Sequence, residues 1–147
     1  MGSLGILTGK RVYFDTNIVI YILERPKQFE RQALALLDGL ASGAFEAVTG
    51  ELTISEVISG IAKLGNEDAL RQCLAFFESG DVVASHPVTR DAFYHAGLLR
   101  GTLGISTPDA IHIATALDAA CDAFLTNDRR LHAPQELRIV QFSGLID

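Results

Sequence analysis

Four acidic residues stand at points where the chain changes from one kind of segment to another. Asp15 closes the β-rich run Arg11-Val-Tyr-Phe-Asp15, and Glu56 stands in Thr53-Ile-Ser-Glu56 at the head of a helical stretch. Asp109 follows Pro108 at the start of an almost wholly apolar helix, and Asp128 follows Phe124-Leu-Thr126-Asn127. Carboxylate oxygens are the ligands that Mg²⁺ and Mn²⁺ prefer. Acids gathered at one edge of a fold could therefore hold a cation that activates water. Without a cation the gathering is costly, because two carboxylates ~5 Å apart repel by about 3 kcal/mol at an effective dielectric of ~20.

Each acid also has an explanation that needs no chemistry. Asp15 would cap a helix beginning near Asn17. Thr53-Ile-Ser-Glu56 has the form of a capping box, in which threonine and glutamate satisfy each other's free amides. Asp109 sits in the first helical turn, where the dipole favours an acid by ~0.3–1 kcal/mol. The Asn127-Asp128 pair is ordinary turn chemistry after a strand. Both explanations stay open for each residue taken alone.

The elements that would position these acids follow from hydrophobic periodicity. Strands are expected over 11–15, 45–49, 81–85, 123–126 and 138–142. Helices are expected over 27–41, 53–64, 67–78, 89–100 and 109–120, the last with Thr107 as cap and Pro108 at its first position. An apolar run covers 18–23. Strands alternating with helices imply an α/β fold, a three-layer αβα sandwich around a mainly parallel five-stranded sheet. In such sheets the site lies beyond the carboxyl ends of the strands, near a switch in strand order. All four acids occupy strand ends or the helix starts that follow them.

The chain has 147 residues, 48% of them apolar, enough for one domain with a real core. Residues 1–10 read as a tail and 11–147 as the domain. No apolar run reaches the ~20 residues of a membrane helix. The start, MGSLGILTGKR, lacks a signal-peptide pattern, and Ile6 stands where a myristoylation motif needs Ser or Thr. A cytoplasmic domain with no membrane contact is expected, with Cys73 and Cys121 as buried free thiols. The net charge of −6 argues against nucleic acid at first sight. Setting four metal-holding acids aside leaves 14 acids against 12 bases, close to neutral. Arg25 with Lys27, and Arg129 with Arg130, follow the first and fourth acidic segments and are weak candidates for phosphate contacts. The histidines are scattered without zinc spacing.

Together the segments Asp15-Thr16-Asn17, Ser55-Glu56, Pro108-Asp109-Ala-Ile-His112-Ile-Ala-Thr-Ala and Leu125-Thr126-Asn127-Asp128-Arg-Arg resemble the PIN-domain ribonucleases, most of all the VapC-type toxins of bacterial toxin–antitoxin pairs. The resemblance spans roughly residues 11–142. It implies an Mg²⁺- or Mn²⁺-dependent endonuclease that cuts RNA to leave a 3′-hydroxyl and a 5′-phosphate. Asp15, Glu56, Asp109 and Asp128 match the family's acidic set. Asp15, Asp109 and Asp128 are expected to hold the metal, and Glu56 to orient the water. Asn17 and Thr126 match supporting polar positions, and His112 a frequent histidine that reads as packing or support. A cognate antitoxin and homodimerisation are the implied partners. Less typical of the family is Gly104-Ile-Ser-Thr before Pro108, where relatives often carry a basic residue.

Two rival enzyme classes fit less well. A phosphohydrolase of the haloacid dehalogenase class needs an acid two residues after the first Asp, where Asn17 stands. A receiver domain needs paired early acids and a late lysine, which the chain lacks. The non-enzyme alternative is a PIN-like interaction module whose catalysis has lapsed, and the complete acidic set speaks against it.

Overall fold

The computed structural model describes residues 3–145. Five strands, β1 (Arg11–Phe14), β2 (Glu46–Gly50), β3 (Ala84–His86), β4 (Ala123–Thr126) and β5 (Arg138–Gln141), form one sheet in the order β3-β2-β1-β4-β5. All four pairings are parallel. Six helices connect and cover it: α1 (Thr16–Glu24), α2 (Glu30–Ala41), α3 (Glu51–Leu64), α4 (Glu67–Ser79), α5 (Arg90–Leu103) and α6 (Thr107–Asp118).

Strand alternation divides the core into two halves. Val12 and Phe14 of β1 face a cluster with Ile18, Val19 and Ile22 of α1, Leu36 of α2, Val57 and Ile61 of α3, and Cys73 of α4. Tyr13 faces the other way, with Val48 and Phe124, against Ala92, Ala96 and Leu99 of α5 and Ile113 of α6. The fold is therefore the expected three-layer α/β sandwich. Cys73 and Cys121 are buried free thiols, and burial pushes Cys121 up to about 11. Among the described residues no helix is long and apolar enough to cross a membrane.

Several boundaries differ from the sequence expectation. The segment before β1 is no free tail: Ser3–Leu7 forms a 3-10 turn, Leu7 is fully buried, and Gly9 N–H donates to Ala44 O at 2.7 Å. Strand β3 begins at Ala84 rather than 81, because the chain leaves α4 through left-handed Gly80 and must first drive Val83 into the core. The helix expected over 27–41 is a 3-10 turn at Lys27–Phe29 followed by α2. Helix α6 is capped by Ser106, whose Oγ accepts from Asp109 N–H at 3.3 Å, so Thr107 is inside the helix and Asp109 at its third position.

Most consequential is α3, which starts at Glu51 with Gly50 as its cap. Thr53 is then a helical residue rather than a cap, and the capping box does not form. Glu56 is left free to bond elsewhere.

Candidate active site

The sheet order sets where the site lies. From β1 the chain runs outward to β2 and β3, then returns across β1 to β4 and β5. The switch in order is between β1 and β4, and parallel sheets open a crevice beyond the carboxyl ends of such a pair. Asp15 follows β1 directly, its N–H donating to Leu125 O of β4 at 3.0 Å.

Asp15 is the N-cap of α1, as the sequence allowed, but capping uses only one of its oxygens. Oδ1 accepts from Thr16 N–H at 2.8 Å, and Oδ2 accepts from the Thr126 hydroxyl at 2.7 Å. Each oxygen keeps acceptor capacity. The residue is only 8% exposed. Burial raises its carboxyl above the ordinary value, the Thr126 and Thr16 hydrogen bonds pull it down, and the charge of Asp109 pushes it further up. A buried carboxylate pressed by a second one is what a divalent cation relieves.

Glu56 reaches the same corner from α3. Its Oε1 accepts from the Thr16 hydroxyl at 2.6 Å and from His112 Nε2 at 2.6 Å. The His112 hydrogen bond holds the Glu56 carboxyl below its ordinary value despite partial burial, with Thr16 adding to the effect. The glutamate side chain is 34% exposed against 3% for His112, so water meets the carboxylate and not the ring. Thr49 of β2 and Thr53 of α3 support the corner from below: their hydroxyls lie 2.7 Å apart, and Thr49 also lies 2.8 Å from Phe14 O.

Asp109, in the first turn of α6, is partly buried. Among the described residues its carboxylate has no hydrogen-bond or ion-pair partner. Asp128 is placed differently. Its Oδ1 accepts from Arg130 N–H at 2.9 Å, the turn arrangement, and Arg130 Nε lies at 3.5 Å. Its backbone N–H donates to Thr126 Oγ1 at 3.0 Å, so Asp128 is tied to Asp15 by way of that hydroxyl. Asn17 serves the loop after β4, its Oδ1 accepting from Asn127 N–H at 3.3 Å.

The basic candidates are all exposed. Arg25 and Lys27 lie past the far end of α1, whose nine residues put them about 13 Å along the helix from Asp15. Arg129 and Arg130 follow Asp128 immediately, Arg129 contacting Ser143 Oγ at 3.2 Å. A cavity of about 970 Å³ lies at the opposite edge of the sheet, lined by Lys10, Arg11, Glu46 and Asp122 among others, and contains none of the four acids.

Among the described residues no three His, Cys, Asp or Glu side chains form a ready cage for a metal. The donor set nonetheless suits Mg²⁺ or Mn²⁺, because Mg²⁺ is held through one or two carboxylates together with waters and substrate phosphate. Asp15 and Asp109, whose charges interact, are the candidates for such a pair. Sequence reasoning missed Thr16 and Tyr13 as parts of this corner. Thr16 lay within the Asp15-Thr16-Asn17 run, and a tyrosine inside a buried strand always needs a partner for its hydroxyl.

A family model described as PIN domain matches residues 12–137. Sequence comparison finds no curated protein that matches the chain. Among solved structures, VapBC2 from Rickettsia felis, bound to a DNA fragment from their promoter, superposes with a TM-score of 0.68 at 15% identity, covering 89% of this chain and 98% of that one. DNA-bound VapBC from Salmonella typhimurium gives 0.63 at 16% identity, covering 90% and 98%. VapC20 from Mycobacterium tuberculosis, a sarcin–ricin loop cleaving toxin, gives 0.62 at 20% identity, covering 81% and 91%. At these identities the likeness is one of fold.

Proposed function

The chain belongs to the PIN-domain family, and from that premise we propose that it is an Mg²⁺- or Mn²⁺-dependent endoribonuclease, the toxin of a toxin–antitoxin pair. The observation that carries this reading is the acidic corner at the β1/β4 switch point, where Asp15 is buried and Thr16 ties it to Glu56, its N–H on Asp15 and its hydroxyl on Glu56. Asp15 and Asp109 would hold the ion, with Asp128 adding its negative charge beside them. When bound, the ion supplies a water of lowered pKa and neutralises charge on the phosphate. Glu56, held below its ordinary value by His112 and fixed by Thr16 and His112, would orient the attacking water and accept its proton. Thr126 and Asn17 hold the first and fourth acidic segments in register. Arg129 and Arg130 beside Asp128 grip phosphate, with Arg25 and Lys27 reaching RNA further along. The products are a 3′-hydroxyl and a 5′-phosphate.

The solved relatives named for VapBC support an antitoxin partner. A cavity of about 370 Å³ lined by Leu23, Ile61, Leu64, Ala69 and Cys73 among others, where α1, α3 and α4 meet, offers such a partner an apolar seat. Exposed Phe93, Tyr94 and Leu98 on α5 suit a homodimer interface. An RNA substrate and buried free thiols fit a protein working in the cytoplasm.

The purified protein is expected to cleave RNA internally with Mg²⁺ or Mn²⁺ and to stop in EDTA. Asp15→Ala should abolish cleavage with the circular dichroism spectrum unchanged. Cleavage by Asp15→Ala at the wild-type rate would overturn the assignment.

A further inference from the structure

His112 is 2% exposed, and both nitrogens of its ring are engaged. Nε2 lies 2.6 Å from Glu56 Oε1, and Nδ1 lies 2.7 Å from the hydroxyl oxygen of Tyr13. Tyr13 is itself fully buried, on the face of β1 opposite Phe14, stacked on Phe124 with ring centroids 4.9 Å apart. We propose that Tyr13 and His112 are positioning residues, a directional hydrogen-bond chain that fixes the tautomer of His112 and through it the orientation of Glu56. This deepens the nuclease reading and rests on it.

The direction of the chain follows from counting protons. A carboxylate can only accept, so Nε2 must carry the hydrogen that faces Glu56. The Tyr13 hydroxyl oxygen lies 2.7 Å from the other ring nitrogen, Nδ1. A phenol holds its proton at neutral pH. That proton is directed at Nδ1, which accepts it as the bare nitrogen of a neutral ring. The chain then reads Tyr13 O–H to His112 Nδ1, and His112 Nε2–H to Glu56.

The geometry is kept free for this purpose at one more position. A Cβ on residue 50 would overlap the Tyr13 hydroxyl oxygen and stand 3.2 Å from Thr115 Cγ2. Glycine at the β2–α3 junction lets the phenol reach His112. At the other end, Thr16 gives its hydroxyl proton to the same Glu56 oxygen, at 2.6 Å. Two donors converging on one carboxylate oxygen leave the second oxygen as the one free to take a proton from water. Orienting groups of this kind, one shell removed from the reacting atoms, typically change activity by about 10- to 100-fold when removed.

The test uses the full-length protein, with Tyr13→Phe, His112→Gln and His112→Leu compared with the wild type. In the metal-free wild type, ¹⁵N spectra of the His112 ring at neutral pH should show a protonated Nε2 and a bare Nδ1, and Tyr13→Phe should lose that single tautomer. With RNA and Mg²⁺, Tyr13→Phe should lower kcat by about 10- to 100-fold with KM unchanged. Gln in place of His112 still offers an N–H to Glu56, so it should keep more of kcat than Leu. An Nδ1–H or doubly protonated ring in the wild type overturns the proposal, as does a folded Tyr13→Phe protein with wild-type kcat. Should the wild type cleave no RNA at all, the nuclease reading falls, and the nitrogen spectra still decide the tautomer.

Discussion

Asp15 and Glu56 sit within one corner of the fold, yet their environments push them in opposite directions. Burial raises Asp15 above 3.8, so this group contributes stability that is complete below that value and is lost as pH rises through its folded pKa. Glu56 is lowered from 4.5, so its contribution is present above 4.5 and is lost as pH falls through the depressed value. Asparagine caps a helix as well as aspartate does, and it keeps an acceptor for Thr16 N–H. In EDTA, Asp15→Asn should therefore match the wild type near pH 4 and exceed it in stability at pH 7, the gap widening as pH rises. Urea denaturation of both proteins from pH 4 to 7 measures this. A variant that is destabilised by the same amount at every pH would mean that Asp15 acts as a cap and bears no burial penalty.

Helix α3 carries Glu56 to the corner, and where it starts decides what Glu56 can touch. Gly50 ends β2 and caps α3 in a single residue. The obstacle to a larger residue is not the backbone, since Gly50 has φ −90, but the Tyr13 hydroxyl packed against it. Tyr13 cannot swing away without giving up His112, and Thr115 closes the other side. Gly50→Ala is expected to cost ~1–3 kcal/mol, the usual range for overpacking a filled site, and to lower cleavage together with stability. Chemical denaturation and an RNA cleavage assay on the same preparation would check both. An alanine variant as stable and as active as the wild type would show that the β2–α3 junction adjusts freely and that Tyr13 has room to move.

For the molecule as a whole, a metal held by these acids would link binding to folding, because only the native sheet brings β1 and α6 together. Asp109 has two possible worths there. As a first-turn acid it would stabilise α6 by ~0.3–1 kcal/mol, whereas facing Asp15 without a cation it repels. Asp109→Asn is expected to be more stable than the wild type in EDTA and less stable in saturating Mg²⁺, where an intact site gains about 2.7 kcal/mol at 100 times Kd. Equal destabilisation in both conditions would assign Asp109 to the helix dipole alone. The exposed α5 stripe gives a second test at this scale. Leu98 is 68% exposed between Tyr94 and the end of α5, and Leu98→Glu should convert a sedimenting dimer to a monomer. A wild type that sediments as a monomer at micromolar concentration would rule the α5 dimer out.

Much of this was legible in the sequence, because local patterns act locally. The run Ala123–Thr126 is a strand residue for residue, and its four buried side chains explain why an uninterrupted apolar stretch is enough to specify it. Thr107 and Pro108 announce α6, though the cap fell one residue earlier, on Ser106. The acids at strand ends and helix starts were readable for the same reason: caps and dipoles work within a single turn. What those acids touch was not readable. Thr53-Ile-Ser-Glu56 has every local feature of a capping box, but the sheet ladder carries β2 through to Gly50, and α3 begins there before Thr53 can cap it. Glu56 then finds its partners 40 and 56 residues away, in Thr16 and His112. Asp128 went the other way, giving an oxygen to its own turn while Thr126 reached Asp15 across 111 residues. Strand order decides such pairings, because it sets which strand ends share an edge, and no short-range periodicity encodes which strand lies beside β1.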